Sequence, residues 1–261
     1  MLKKRLVGVV TVRNGWAVQS FGYQRYLPLG RPEFIVENLD RWGVDEILVQ
    51  IIDRSTYALG PDFALMDRLA RLGLGTPLIY GGGIRSVDDG VKVVQRGADR
   101  ITVDSLICAD LSEVRRLSER LGAQAVIASL PLSATDAGLM HRDYRKRIDR
   151  PWSAHLSGAL TDGFVSEALI TDWCHEGNPA GFDERIVDMF SCLDVSLIAF
   201  GGISTVEQMQ SLLTRPKVAA VAVGNFLSYR EHAVQQYRNV LASAALRTST
   251  YNTEYSLIHD V

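Results

Sequence analysis

The sequence predicts a closed (β/α)8 barrel, the TIM-barrel class, built from two similar halves. The main observation is a pair of glycine turns, GGG at residues 81–83 and GG at residues 201–202, separated by about 120 residues. Each turn follows a short apolar run and opens a helical pattern, and each is followed by a second apolar run. These repeats predict half-barrels of about residues 1–122 and 123–247.

The remaining elements alternate between strand and helix along the whole chain. Apolar, β-branched runs predict eight strands, at residues 5–12, 46–52, 77–80, 100–103, 125–129, 167–171, 195–199 and 218–223. Apolar residues three or four positions apart predict the intervening helices, at residues 32–42, 62–72, 86–96, 111–121, 152–162, 183–192, 205–214 and 230–245. Buried parallel strands with helical crossovers form either a closed barrel or an open doubly wound sheet, and the twofold repeat favours the barrel.

The predicted organisation is one domain with its active face at the strand C-termini. Residues 1–247 form the barrel, whereas residues 248–261 are polar and are predicted to be a C-terminal appendage. The longest predicted loops follow the first and fifth strands, on the face where active sites lie in this fold.

Composition excludes several classes of function. The chain has 261 residues, 47% of them hydrophobic, and a net charge of −2, so no global field attracts nucleic acid or a membrane surface. The N-terminal apolar stretch is too short for a signal peptide or a membrane span. Cys108, Cys174 and Cys192 lack a disulfide-framework spacing, which favours a cytoplasmic protein. We expect no cofactor and no metal. In particular, we expect no metal at Cys174 and His175, because adjacent residues on a strand or turn rarely point at the same ion.

The glycine turns themselves predict anion sites. A strand that leads through glycines into a helix presents unpaired backbone N–H groups beside the positive end of the helix dipole. Phosphate is the usual anion at such a position. Two turns in one doubled chain therefore indicate a ligand with two phosphates.

Several segments resemble the cyclase subunit of imidazole glycerol phosphate synthase over about residues 1–245. They are residues 1–5 (MLKKR), 42–46 (WGVDE), 81–86 (GGGIRS), 97–100 (GADR) and 199–203 (AFGGI). The resemblance implies a barrel that takes ammonia from a glutaminase partner and uses it on a bisphosphate substrate. Residues 1–5, 29–32 and 42–46 look closer to a divergent branch that supplies ammonia for acetamidino groups in bacterial surface sugars.

The resemblance also assigns the phosphate contacts. The first-half site would comprise Gly82, Gly83 and Ser105, and the second-half site would comprise Gly177, Gly201, Gly202, Gly224 and Asn225. Asp104 stands where the family has an amide near the first phosphate, and its charge would repel that phosphate. We therefore expect phosphate to occupy the second-half site before the first.

The chain departs from the family at the catalytic positions. Thr11 and Pro131 stand where the family has the two catalytic aspartates, and Gln19 replaces an expected lysine. Neither threonine nor proline can act as a carboxylate acid or base, so ordinary cyclase activity is not expected. Asp53 and Glu176 form a candidate relocated acid/base set, although strand-end acids more often cap helices or pair with neighbouring arginines.

The opposite face carries four charges at the first positions of predicted strands: Arg5, Glu46, Arg100 and Glu167. They are either unrelated turn charges or a ring of salt bridges that closes the barrel floor. All four match the family's gate to its internal ammonia passage, with arginine in place of lysine at position 100. Asp99 resembles a residue that faces the glutaminase.

A basic segment, residues 141–150 (HRDYRKRIDR), lies in the predicted loop after the fifth strand. Charge runs are usually solvated, and the functional alternative is a site for an anionic sugar nucleotide or an acidic partner. Nucleic acid is disfavoured because no basic face or aromatic platform accompanies the cluster.

Three hypotheses follow. The first is a subunit of a glutamine-dependent complex that passes ammonia to an acetamidino-forming or related amidation reaction in surface polysaccharide synthesis. The second is a scaffold without chemistry of its own that activates a glutaminase, and the third is a histidine-pathway cyclase. Expected partners are a glutaminase, with an ATP-dependent amidotransferase as a further candidate, and a phosphorylated or sugar-nucleotide small molecule.

Overall fold

The computed structural model describes residues 3–190, 193–228 and 233–241. Its strands are β1 Arg5–Arg13, β2 Trp16–Phe21, β3 Arg25–Gly30, β4 Glu46–Ile51, β5 Leu78–Gly81, β6 Arg100–Val103, β7 Val126–Thr135, β8 Gly138–Asp143, β9 Ile148–Pro151, β10 Glu167–Asp172, β11 Ser196–Phe200 and β12 Val218–Val223. Its helices are α1 Pro32–Trp42, α2 Phe63–Ala70, α3 Val87–Gln95, α4 Ser105–Ala109, α5 Leu111–Leu121, α6 Ala154–Thr161, α7 Arg185–Met189, α8 Val206–Thr214 and α9 Ala233–Leu241.

Eight of the described strands close into a parallel barrel. Their order around the barrel is β1, β4, β5, β6, β7, β10, β11 and β12, and β12 pairs again with β1. The closing pair places Arg5 opposite Ala220, while the pair between β7 and β10 places Ile127 opposite Glu167. The predicted (β/α)8 barrel is confirmed.

The barrel interior is layered because alternate residues of each strand point inward. A cluster of buried apolar residues fills the middle: Val7, Val9, Leu48, Ile79, Ile127, Leu169, Ile198, Phe200, Ala220 and Ala222. Two residues further along four of these strands lie the buried or half-buried polar residues Thr11, Gln50, Ser129 and Thr171, and β6 adds the buried Thr102. The interior therefore changes from apolar to polar towards the strand C-termini.

The two long connections at the mouth are hairpins rather than loops. After β1 the chain forms β2 and β3, and after β7 it forms β8 and β9, all antiparallel. Residues 141–150, expected to be a loop, are thus mostly the second hairpin. Pro131 lies inside β7, opposite Thr171, rather than at the end of a strand.

Other boundaries agree with the sequence to within a few residues, apart from two helices. The helix predicted at residues 183–192 is the short α7, and residues 191 and 192 lie outside the described part. The helix predicted at residues 230–245 is described only as α9, and the predicted appendage at residues 248–261 also lies outside. None of the helices in the described residues combines the length and apolarity that crossing a bilayer requires.

Candidate functional site

A cavity of about 970 Å³ opens at the mouth of the barrel. Its base is formed by inward-facing residues of the barrel strands, among them Gln50, Thr102 and Ser129. Its walls come from the first-half glycine turn and from both hairpins. Such a concave site above the strand C-termini is where ligands bind in this fold.

The first-half glycine turn lies in the wall of this cavity, with Gly82, Gly83 and Ser105 among the lining residues. Gly82 has φ +125°, and a Cβ atom there would lie 2.3 Å from the Ile51 carbonyl oxygen, so only glycine fits. The Gly83 N–H donates to Ser55 Oγ at 3.3 Å. The three residues predicted for the first-half phosphate site therefore line one cavity, and phosphate binding there stays a prediction.

The second-half glycine turn is covered instead. None of Gly177, Gly201, Gly202, Gly224 and Asn225 lines the large cavity. The Asn225 side chain accepts from Ser20 N at 3.1 Å and donates to Ser20 O at 2.6 Å. A Cβ atom on Gly177 would lie 2.4 Å from that same carbonyl oxygen. The β2–β3 hairpin therefore lies against the site that we expected to be the open one.

The two candidate acids also differ from the sequence-based expectation. Glu176 is 3% exposed, does not line the cavity, and accepts hydrogen bonds from Ser20 Oγ at 3.0 Å and Tyr23 N at 3.2 Å. Burial raises its pKa, while the hydrogen bonds from Ser20, Tyr23 and Gly22 oppose the shift. Glu176 is placed to hold the hairpin, not to contact a ligand in the cavity.

Asp53 does line the cavity, but its carboxylate accepts from Asn14 N at 2.7 Å. That contact fixes the turn between β1 and β2, a structural role that differs from the helix cap or arginine pair considered from the sequence. Of the two candidate acids, only Asp53 lines the cavity.

Asp104 faces the cavity from the end of β6, beside Cys108 of α4 and His141 of β8. Desolvation within the protein raises the pKa of Asp104 to about 7, and the nearby charge of Asp143 adds to the shift. Water in the cavity still reaches this half-buried side chain, which moderates the effect. Cys108 is exposed as a residue, but desolvation by surrounding protein atoms and the adjacent Asp104 raise the pKa of its thiol to about 12. Burial lowers the pKa of His141.

The β8–β9 hairpin gives the cavity a basic rim. Arg142 Nη1 donates to Asp149 at 3.1 Å and its guanidinium stacks 4.5 Å from the centre of the Trp173 ring, so this arginine is internally held. Arg145, Lys146 and Arg147 at the tip also line the cavity. These three cations face the region where an anionic ligand would enter.

Two tyrosines bring the hairpins together over the barrel. Tyr23 and Tyr144 meet edge to face with ring centroids 5.3 Å apart, and Tyr23 packs against the interior apolar cluster. The Tyr23 hydroxyl approaches Gln50 Oε1 at 3.5 Å. Burial raises the pKa of both phenols well above the usual value, so they stay neutral.

The barrel floor is a closed ring of alternating charges. Arg5 Nη1 donates to Glu46 at 2.8 Å, and Arg5 Nη2 donates to Glu167. Arg100 Nη1 lies 3.5 Å from Glu46 Oε1. Arg100 Nη2 forms an ion pair with Glu167 Oε2 at 2.6 Å. These side chains are only 6–14% exposed. The four predicted residues therefore meet, although they come from four separate strands.

Asp99 is exposed and precedes Arg100 of this ring, and its partner-facing role stays a prediction. Its carboxylate accepts from Leu78 N at 2.8 Å, and its own N–H donates to Leu78 O. The side chain thus also fixes the start of β5.

Comparison with known proteins agrees with the fold. Residues 5–233 match the family model described as "Histidine biosynthesis protein". The chain belongs to this family.

Relatives within the histidine biosynthesis protein family are distant but cover the whole barrel. "Imidazole glycerol phosphate synthase subunit HisF" of Natranaerobius thermophilus is 24% identical over 245 residues, 93% of this chain and 97% of that protein. "Putative imidazole glycerol phosphate synthase subunit hisF2" of Vibrio vulnificus is 25% identical over 98% of this chain and 93% of its own length. A protein of the same name from Pseudomonas aeruginosa is 25% identical over 89% of this chain and 94% of its own length.

Sequence reasoning missed the partners of Asp104 in this member of the histidine biosynthesis protein family. Cys108 was considered only for disulfides, and His141 only as part of a basic segment. Their proximity arises because β8 folds back along β7 and places His141 opposite Leu132. The only sequence signal was the i, i+4 spacing of Asp104 and Cys108, which puts them on one side of a helical turn.

Proposed function

We propose that the chain is the ammonia-receiving subunit of a glutamine-dependent amidotransferase complex. The observation that carries this proposal is the floor ring of Arg5, Glu46, Arg100 and Glu167. Isolated buried charges are costly, and a ring of four at a barrel end has no evident need in packing alone. The names of the relatives describe subunits of a synthase, which supports a second subunit as the partner.

The proposed path runs from the floor to the mouth. A glutaminase docks around Asp99, and ammonia enters when the ring opens. The apolar middle of the barrel suits a small neutral molecule and excludes ammonium, because an unpaired cation there would be desolvated. The polar residues Gln50, Thr102 and Ser129 then lie at the base of the cavity, where the acceptor would bind.

The proposed acceptor is a phosphorylated or sugar-nucleotide small molecule. Support comes from the glycine turn at Gly82 and Gly83 and from the cationic hairpin tip, both of which line the cavity. The acetamidino reaction of surface-sugar synthesis, with an ATP-dependent amidotransferase as a further partner, is the narrower proposal. It rests on the resemblance of residues 1–5, 29–32 and 42–46 to that branch.

A scaffold without chemistry of its own is the second candidate. It is favoured by the positions of the acids: Asp53 and Glu176 both accept hydrogen bonds from the first hairpin or its turn. The histidine-pathway reaction is disfavoured by Thr11 and Pro131. We therefore expect this gene not to restore growth without histidine in a strain that lacks the cyclase. Growth supported by this gene alone would favour the histidine-pathway reaction instead.

Docking is tested by mixing the full chain with candidate glutaminases from the same organism and measuring complex formation and glutamine hydrolysis. We expect one glutaminase to bind and to be activated. Asp99→Asn should weaken binding at least about tenfold, equivalent to about 1.4 kcal/mol. The amide keeps an acceptor for Leu78 N, so β5 is preserved. Binding by no glutaminase, or equal binding by the variant, would count against the proposed docking face.

The gate is tested by Arg5→Ala, with the exposed Arg115→Ala as the matched control. Removing one partner of a buried ion pair costs about 3–5 kcal/mol, whereas an exposed pair is worth at most about 1 kcal/mol. We expect Arg5→Ala to lower the free energy of unfolding and to release more ammonia into solution per glutamine hydrolysed in the complex. Arg5→Ala that matches Arg115→Ala in both measurements would remove the main support for an ammonia passage.

A further inference from the structure

Three side chains with different donor atoms converge in the cavity wall. Asp104, Cys108 and His141 each present a ligand atom within 4.8 Å of the other two. Cys108 Sγ and His141 Nε2 are 4.0 Å apart. All three residues line the large cavity. From this geometry we propose that Asp104, Cys108 and His141 bind a divalent transition-metal cation, with zinc the best fit.

The donor set selects the metal. A thiolate and an imidazole disfavour magnesium and calcium, which take oxygen ligands, whereas zinc accepts sulfur, nitrogen and carboxylate oxygen together. Zinc–ligand distances of about 2.0–2.3 Å put tetrahedral ligand atoms roughly 3.5 Å apart. The observed separations thus need side-chain movements of only about 1 Å.

The backbone positions of the three ligands are fixed by regular structure. Asp104 precedes α4 and Cys108 lies one turn along it, with Cys108 N donating to Asp104 O at 3.4 Å. His141 is buried in β8 opposite Leu132 of β7. Ligands held on rigid elements suit a defined coordination geometry better than ligands on a free loop.

Asp104 lacks any other evident role. Its carboxylate does not cap α4 and makes no hydrogen bond or ion pair with another described residue. Asp143 lies close enough to add negative charge, and its ion pair with Arg150 is long, at 3.8 Å. A cation at this site would compensate charge that the described part of the chain leaves unpaired.

Three protein ligands leave one coordination position open towards the cavity, as in catalytic rather than structural zinc sites. The cation also offsets the charge of Asp104 beside Gly82, Gly83 and Ser105. It thereby removes the repulsion that argued against phosphate in the first-half site. The metal site itself does not depend on the proposed ammonia delivery.

The test uses the full chain without an affinity tag, stripped of metal with a chelator. Zinc is titrated in competition with a chromophoric chelator, and cobalt is bound in parallel for its spectrum. We expect one zinc per chain and a thiolate-to-cobalt charge-transfer band. Cys108→Ser should abolish the band and weaken zinc binding at least about 100-fold, since loss of even an outer-shell partner costs 10- to 100-fold.

Cys174→Ser is the matched control, because Cys174 is the other exposed thiol of the described residues. It should keep both the band and the zinc affinity. Cys108 is itself exposed, so its serine variant is expected to fold, and circular dichroism checks this. Absence of zinc binding, retention of the band in Cys108→Ser, or its loss in Cys174→Ser would each overturn the proposal. None of these readouts involves a glutaminase, so they are independent of the proposed function.

Discussion

The two glycine turns share a local motif and differ in what covers them. In the first half, Gly82 and Gly83 face a cavity of about 970 Å³. In the second half, Gly201 and Gly202 are buried against residues 172–182 and do not line that cavity. Gly177 and Asn225 lie against Ser20 of the β2–β3 hairpin. The motif specifies a strand, a turn and a helix start, and it does not specify whether the site is open.

The residues after β6 and β12 account for part of the difference. After β12, the Asn225 amide both donates to and accepts from the Ser20 backbone, so it anchors one hairpin closely. After β6, Asp104 has only acceptor oxygens when ionised and cannot bind a backbone carbonyl in this way. It faces Cys108 and His141 instead. The Asn225 amide therefore ties the β2–β3 hairpin to the end of β12, whereas the Asp104 carboxylate faces the cavity.

The largest effect is expected for Gly177→Ala, which tests the contact between the hairpin and Gly177. The new Cβ would lie 2.4 Å from Ser20 O and 2.9 Å from a Phe21 ring carbon, at φ +82°. Overpacking costs about 1–3 kcal/mol and the backbone strain about 1–2 kcal/mol. We therefore expect the free energy of unfolding, measured by urea titration, to fall by about 3 kcal/mol.

Gly163→Ala is the matched control for that change. Gly163 has φ +75° but no atom within 4 Å of the added Cβ, so only the backbone strain applies. If the two variants lose the same free energy of unfolding, the hairpin does not pack closely against Gly177.

A smaller effect is expected for Asn225→Ala, which removes both hydrogen bonds to Ser20. The buried Ser20 N–H loses its partner, at a cost of about 1–3 kcal/mol. We expect lower stability and faster proteolysis within the hairpin. Asn38→Ala on α1 should change neither, and similar proteolysis of the two variants would contradict the anchoring role of Asn225.

The smallest effect concerns the pH dependence of Glu176→Gln. Burial raises the pKa of Glu176 in the folded state, so the native protein holds this proton more tightly than the unfolded chain does. The stability that the protonated Glu176 contributes is present below the pKa of about 4.3 in the unfolded chain. It is lost as the pH rises through the higher pKa of Glu176 in the folded protein. We expect the glutamine variant to gain stability relative to the original chain as pH rises. A difference that stays constant or reverses would be inconsistent with a buried carboxylate at this position.

The floor ring shows how far sequence reasoning reaches. Arg5, Glu46, Arg100 and Glu167 each begin a predicted strand, and parallel strands in a barrel bring equivalent positions to one end. The sequence left open whether they are separate turn charges or a ring, and the family resemblance favoured the ring. Their ion pairs are observed. The function of the ring as an ammonia gate stays a prediction.

The sequence by itself determined the barrel, because hydrophobic periodicity and glycine turns are local properties of the chain. It also determined which charges share the floor, since strand register fixes them. Only the tertiary structure decided that the β2–β3 hairpin packs against Gly177 and Asn225, that Glu176 holds this hairpin, and that His141 lies beside Asp104 and Cys108. These arrangements depend on how the two hairpins fold back over the mouth, and that direction is set by long-range contacts that no local pattern encodes.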